Sequence, residues 1–323
     1  MPSAKAAPPN STASKRPSAS ANSTDLAREP SLSGQPHLEG ARHRNVRVAG
    51  VRLHLAELGP ELGPPVLLVH GWPQHWWCWR KVAPRLRSQR CLMPDLRGHG
   101  WSEAPRGGYE KRRLAADMLG LLDALEVERC CYVGHDWGAI AGFLVALEAP
   151  ERISALLALS VPHPWPSWHD KLNPRRLAAG LYQLPLSAPL LGAALMRAGL
   201  ARRVLEHAPG SATFSRDEAE QYDRRLSTRE GARATVGMYR SFLLRDLPGS
   251  MLGEKRRLET PTRLLVGSKD PIVQGADLRG YEAHAERMIV ERVPDAGHFL
   301  PEERPELVAE RVSELCPVDG PPG

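Results

Sequence analysis

The stretch that most limits what this chain can fold into is Cys130-Cys131-Tyr132-Val133-Gly134-His135-Asp136-Trp137-Gly138-Ala139. An apolar run of strand character enters a Gly-x-Asp-x-Gly turn and continues as a helical pattern over Ile140 to Leu147. A side chain carried on so sharp a strand-to-helix turn stands clear of the backbone, and residues without a Cβ are needed on either side of it, which accounts for Gly134 and Gly138. Taken alone, the same five residues also read as an aspartate capping a helix. The strand before and the helix after favour the exposed-nucleophile reading, with Asp136 as the nucleophile.

Around this turn, short apolar runs alternate with helical stretches. The runs are Pro65 to Val69, Cys91 to Pro94, Cys130 to Val133, Ile153 to Val161, Arg263 to Val266 and Met288 to Val293, preceded by an alternating stretch that predicts a hairpin turning at Ala49-Gly50. Lys111 to Leu125 places Leu114, Met118, Leu121, Leu122 and Leu125 at helical spacing. Strands separated by helices at this rhythm predict an α/β fold, a mostly parallel sheet flanked by helices. The rhythm breaks once: between Val161 and Arg263 about a hundred residues carry helical patterns and no strand signal, which predicts a helical cap over the strand C-termini, where such sheets bind ligands. The expected organisation is a Ser/Ala/Pro-rich disordered tail over residues 1–44, a core over 45–161 and 259–316, the cap over 162–258, and a short tail over 317–323.

Composition closes off other classes of function. No stretch approaches the roughly 18 to 20 apolar residues of a membrane span, so no membrane partner is expected. The basic excess, 43 Lys and Arg against 37 Asp and Glu, is spread: +3 over residues 1–44 and +5 over 163–250, with signs interspersed as in Asp223-Arg224-Arg225. Interspersed charge predicts solvated helix faces rather than a nucleic-acid stripe. The tail lacks the apolar run of a secretory signal, which makes the cytoplasm the default compartment. Cys78, Cys91, Cys130, Cys131 and Cys316 form an odd set without C-x-x-C spacing and read as reduced, packed thiols, with Cys130 and Cys131 on opposite strand faces.

The partners of Asp136 lie downstream. Arg263-Leu-Leu-Val266-Gly267-Ser268-Lys269-Asp270 places an acid past one strand, and Asp295-Ala296-Gly297-His298 places a histidine past the next; the order nucleophile, acid, histidine is that of α/β-hydrolases. Upstream, Val69-His70-Gly71-Trp72-Pro73-Gln74 also follows a strand, and the backbone amides of Trp72 and Trp137 are the candidate oxyanion-hole donors. A carboxylate attacking an ester would form a labile anhydride, whereas attack on an sp3 carbon forms an alkyl-enzyme ester that water can cleave. Asp136 therefore points to substitution at carbon.

These motifs, with Trp76-Trp77-Cys78-Trp79-Arg80, Asp95-Leu96-Arg97-Gly98-His99-Gly100-Trp101-Ser102 and Gly297-His298-Phe299, make the chain resemble an α/β-hydrolase-fold epoxide hydrolase over Asn45 to Cys316. The resemblance implies a cofactor-independent enzyme acting on a small-molecule epoxide and water, with monomer and homodimer both open. It also implies two cap tyrosines that protonate the opening ring, carried onto Tyr239 in Met238-Tyr239-Arg240 and onto Tyr182, with Tyr222 as the substitute for Tyr182, although the charged Glu220 to Arg225 stretch predicts a solvated helix. Haloalkane and haloacid dehalogenases share Asp136, His298 and Asp270 but place Asn after the His-Gly pair, where this chain has Trp72. A hydrolase-fold protein without turnover, or one whose tail tethers a partner, are the non-enzymatic alternatives. Trp72, Trp137, His163 and Trp165 are candidate substrate-binding residues, Trp168 a neighbour of the last two, and a hinge wall fits His163 and Trp165 equally well. Asp95 and His99 read as structural. Metal clusters, P-loops and dinucleotide fingerprints are absent from the sequence, so no cofactor is implied.

Overall fold

A computed structural model describes residues 34–165, 180–210, 214–247, 256–273 and 278–317. Eight strands form one sheet in the order β1-β2-β4-β3-β5-β6-β7-β8, with β1 at Arg42–Val48, β2 at Val51–Leu58, β3 at Pro65–Val69, β4 at Arg90–Pro94, β5 at Cys130–His135, β6 at Ile153–Leu159, β7 at Thr262–Gly267 and β8 at Met288–Val293. Only β2 runs antiparallel to its neighbours β1 and β4; all other pairs are parallel. The first hairpin turns at Ala49 and Gly50, both in the left-handed region, as a two-residue connection twisted to match its strands requires.

The central strands are buried on both faces, which is why they read as unbroken apolar runs rather than alternating ones. Their side chains alternate between two cores: Leu67, Val69, Cys130 and Tyr132 face one, and Val66, Leu68, Cys131 and Val133 face the other. Helix α1 (Lys111–Ala124) buries Leu114, Met118, Leu121 and Leu122 on one stripe, and α2 (Trp137–Glu148) is apolar nearly all round because it lies inside the molecule.

Between β6 and β7 the described residues hold only helices: α3 (Gln183–Ser187), α4 (Pro189–Arg197), α5 (Leu200–Glu206), α6 (Arg216–Leu226) and α7 (Arg229–Ser241), the last running into a single π-turn at Phe242–Asp246. After β8 come α8 (Leu300–Glu303) and α9 (Pro305–Leu315). Salt bridges and backbone contacts tie the helical segment to the core on two sides. Arg225 Nε donates to the Gly100 carbonyl at 2.7 Å, while Arg245 pairs with Glu110.

Three expectations need correcting. Ordered structure starts before Asn45: Gln35 hydrogen-bonds His54 and β1 begins at Arg42, because the sheet edge supplies contacts that composition alone does not reveal. Residues 1–33 and Trp168 lie outside the described residues. The cysteines are not all reduced, since Cys131 and Cys316 form a disulfide across 185 residues; the sheet brings the end of α9 onto β5, a juxtaposition no local spacing encodes. Cys78, Cys91 and Cys130 are buried thiols. Lastly, α6 is not simply solvated: Ala219, Tyr222, Asp223 and Leu226 share its inner face, and Tyr222 is fully buried.

Candidate active site

Asp136 sits at the C-terminal end of β5 with φ 50° and ψ −116°, a conformation non-glycine residues avoid. The strained turn is held by the Asp136 amide donating to the Leu159 carbonyl at 3.0 Å and by the Tyr132 hydroxyl donating to the Gly138 carbonyl at 3.0 Å. Its glycines are steric requirements: a Cβ on Gly138 would lie 2.1 Å from the Val69 carbonyl oxygen, and one on Gly134 would lie 2.5 Å from that of Gly138.

The side chain of Asp136 does not fold back as a helix cap. Its Oδ2 accepts the Trp72 backbone amide at 2.9 Å, and the Trp137 amide, next in the chain, also favours the charged carboxylate. Burial pushes the Asp136 carboxyl up to about 6, against the opposing pull of His298 and the two amides. Both candidate oxyanion amides therefore lie at the Asp136 carboxylate.

His298 and Asp270 meet at the ends of β8 and β7. Asp270 Oδ2 accepts from His298 Nδ1 at 2.9 Å, and its Oδ1 accepts the amides of Ile272 at 2.8 Å and Val273 at 3.2 Å. Burial alone would raise the Asp270 carboxyl, but the imidazole and the amides hold it below the ordinary carboxylate value. For His298 burial opposes the charge, yet the carboxylates of Asp270, Asp136 and Glu303 outweigh it and lift the imidazole to about 9. Nδ1 bound to Asp270 leaves Nε2 as the nitrogen free for proton transfer.

Aromatic rings enclose the carboxylate from the helical segment. Tyr239, buried on α7, meets Trp72 edge to face at 5.5 Å between centroids and Trp137 at 5.7 Å. Tyr182, immediately before α3, meets Tyr239 edge to face at 5.9 Å between centroids. Burial holds both phenols protonated well above the ordinary tyrosine range, and the Asp136 charge adds to this.

The remaining candidates have other engagements. Tyr222 donates its hydroxyl to Glu302 at 2.7 Å and accepts from Arg80 at 3.2 Å, so it is not an alternative to Tyr182; a helix that presents charges outward can still bury every third or fourth residue. His163 bonds the Arg279 carbonyl at 3.0 Å and the Trp165 indole donates to the Arg256 carbonyl at 3.2 Å. Asp95 is structural in its contacts: it accepts from the amides of Trp76 and Trp101 and pairs with His54 Nδ1 at 2.7 Å. Among the described residues, no group of three or more His, Cys, Asp or Glu is placed to hold a metal.

Sequence reasoning overlooked Phe242, whose ring lies edge to face on Trp137 at 5.4 Å. Its only signal was an apolar residue closing the Tyr239 helix. His135, inside the nucleophile motif, was also passed over: its Nε2 bonds the His298 carbonyl at 2.9 Å.

A family model described as alpha/beta hydrolase fold matches residues 64–305. Epoxide hydrolase A of Mycobacterium tuberculosis is 29% identical over 316 residues, covering 84% of this chain and 96% of that one. Among solved structures, the epoxide hydrolase of Vigna radiata superposes with a TM-score of 0.73 at 27% identity, covering 86% of this chain and 98% of its own. A Salmonella enterica protein described as a candidate acyltransferase superposes with a TM-score of 0.78 at 27% identity, covering 87% and 96%. The frame is thus shared by different chemistries, and the site must discriminate between them.

Proposed function

The chain belongs to the alpha/beta hydrolase fold family, and within it we propose that the protein is an epoxide hydrolase, converting an epoxide to a vicinal diol through an ester on Asp136. The observation that carries this reading is the placement of two phenols from the helical segment beside the Asp136 turn, with Tyr239 edge to face on the Trp72 and Trp137 rings and Tyr182 edge to face on Tyr239, both raised in pKa in part by the Asp136 charge. An acyltransferase or esterase of this fold needs a nucleophile suited to carbonyl carbon, and a dehalogenase needs no proton donor for its leaving halide.

In the first step a carboxylate oxygen of Asp136 forms a bond to one ring carbon while the carbon–oxygen bond of the ring breaks. The electron pair goes to the ring oxygen, which takes a proton from Tyr239 or Tyr182. Forming the ester removes the negative charge of Asp136, one of the groups that favours the imidazolium of His298. That lowers the pKa of His298, so its imidazole is more readily neutral when a proton must be taken from water. It takes a proton from water, the hydroxide adds to the ester carbonyl, and the amides of Trp72 and Trp137, already directed at this carboxylate, hold the oxyanion. Collapse breaks the ester carbon–oxygen bond; the departing diol oxygen takes the proton held by His298, the proton of the new Asp136 carboxyl returns to the phenolate, and carboxylate, imidazole and phenol are restored. Asp270 keeps the imidazole in the required tautomer, and the helices between β6 and β7 act as a cap that brings the phenols over the nucleophile.

Intact mass of His298→Ala after incubation with epoxides and, separately, haloalkanes tests this reading. A gain equal to the whole epoxide is expected, since hydrolysis of the ester is blocked. A gain of the alkyl group without its halogen, and none with epoxides, would replace the reading with dehalogenation and remove the roles given to Tyr182 and Tyr239.

A further inference from the structure

Three consecutive residues carry His298 into the site, and a side chain grips each. The Gly297 amide donates to Glu303 Oε2 at 2.7 Å, the Phe299 amide donates to Glu303 Oε1 at 3.0 Å, and the His298 carbonyl bonds His135 Nε2 at 2.9 Å. His135 is kept neutral by burial, which lowers its pKa to about 3, so this nitrogen donates to the carbonyl. Glu303, buried on α8, spends both carboxylate oxygens on the backbone that flanks the imidazole. Charge-assisted bonds of this kind are about twice as strong as neutral ones.

The cap reaches the same place. A Cβ on Gly210 would lie 2.4 Å from Glu303 Oε2 and 2.7 Å from the Gly297 nitrogen, and one on Gly297 would lie 1.9 Å from the Pro209 carbonyl oxygen. Pro209-Gly210 therefore presses on the Glu303–Gly297 bond with no space to spare.

We propose that Glu303 is a positioning residue for His298, fixing through the Gly297 and Phe299 amides where the imidazole stands during hydrolysis of the Asp136 ester. The side-chain bonds of Glu303 to Gly297 and Phe299 are to backbone amides, so it acts on the imidazole through the backbone. The inference rests on the epoxide hydrolase reading above, because only a two-step reaction uses His298 in one step and not the other. Asp270 alone anchors one ring nitrogen and leaves the backbone free to shift; a misplacement of about 1 Å in such a base can cost about 100-fold in rate. The charged or titratable groups that face His298 are Asp270, Asp136, Glu303 and His135.

Glu303→Gln keeps the shape but offers one oxygen and one NH2 group, so one of the two amides loses its acceptor. In single-turnover and steady-state kinetics, ester hydrolysis is expected to fall about 10- to 100-fold, with the rate of ester formation unchanged. The mass of enzyme plus whole epoxide then becomes the main species at steady state. The limb of the pH–rate profile due to His298 moves to lower pH, because a carboxylate that favours the imidazolium is gone. Gly210→Ala, with Glu303 intact, is expected to give the same split between steps and decides the matter if Glu303→Gln does not fold. Equal slowing of both steps, or loss of thermal stability with both rates intact, overturns the inference. An adduct in His298→Ala with Glu303→Gln indistinguishable from wild type refutes only this role. Absence of both adduct and wild-type turnover refutes the parent reading and this one with it.

Discussion

Asp136→Asn should make this protein more stable at neutral pH while abolishing its turnover. Asp136 is fully buried, and burial raises its carboxyl from 3.8 to about 6 despite two amide donors and a neighbouring imidazole. A carboxyl whose pKa is higher in the folded state than in the unfolded one favours folding when protonated. That stability is present at low pH and is lost as pH rises from about 4 through about 6. Two pKa units correspond to about 3 kcal/mol in full, most of it lost between pH 4 and pH 7. Asparagine has no such proton to lose. Asparagine removes one of the carboxylates that favour the His298 imidazolium, but Asp270, its directly bonded partner and the larger influence, is present in both proteins and keeps the imidazole charged across this window, so its contribution changes alike in both. Urea unfolding of wild type and Asp136→Asn at pH 4 and pH 7 should therefore show the variant gaining on wild type by about 2 to 3 kcal/mol between the two pH values. Parallel pH dependence of the two would refute the claim that this site holds its nucleophile against a desolvation cost.

Tyr239→Phe retains the ring against Trp72 and Trp137 but removes the buried hydroxyl; the rate of ester formation in single-turnover mass spectrometry should fall by about 100-fold or more, with thermal stability nearly unchanged, and an unchanged rate would remove this residue as proton donor. Cys316→Ser opens a bridge spanning 185 residues between β5 and the end of α9; the chain-entropy model puts its effect at about 5 kcal/mol, so urea midpoints of wild type and variant should differ under oxidising conditions and coincide once wild type is reduced, and coinciding midpoints in both would refute it.

β3 was legible because both faces of the central sheet are buried, so its apolar run matches its observed limits, Pro65–Val69; β8, at the sheet edge with Ile289 exposed, also lies where its run predicts, at Met288–Val293. The sharp turn under Asp136 was legible because it imposes local steric demands that only glycine meets at positions 134 and 138. Asp270 and His298 could be found because each follows its strand directly. Tyr222 could not be judged, since a helix dense with Asp, Glu and Arg gives no sign that one of its residues is enclosed between Glu302, Arg80 and His75.

The amino-acid sequence by itself determined the features set by near neighbours: the alternation of strand and helix, the sharp turn under Asp136, and the order of nucleophile, acid and histidine. Steric limits and periodicity act over a few residues and leave their mark on residue type. The tertiary structure alone decided which tyrosines stand over Asp136, that Cys131 meets Cys316, and that Glu303 grips the His298 loop beneath Gly210. Those contacts join residues brought together by the crossing of the sheet and the seating of the cap, and their energy comes from burial and directed hydrogen bonds that no single segment possesses before the fold is complete.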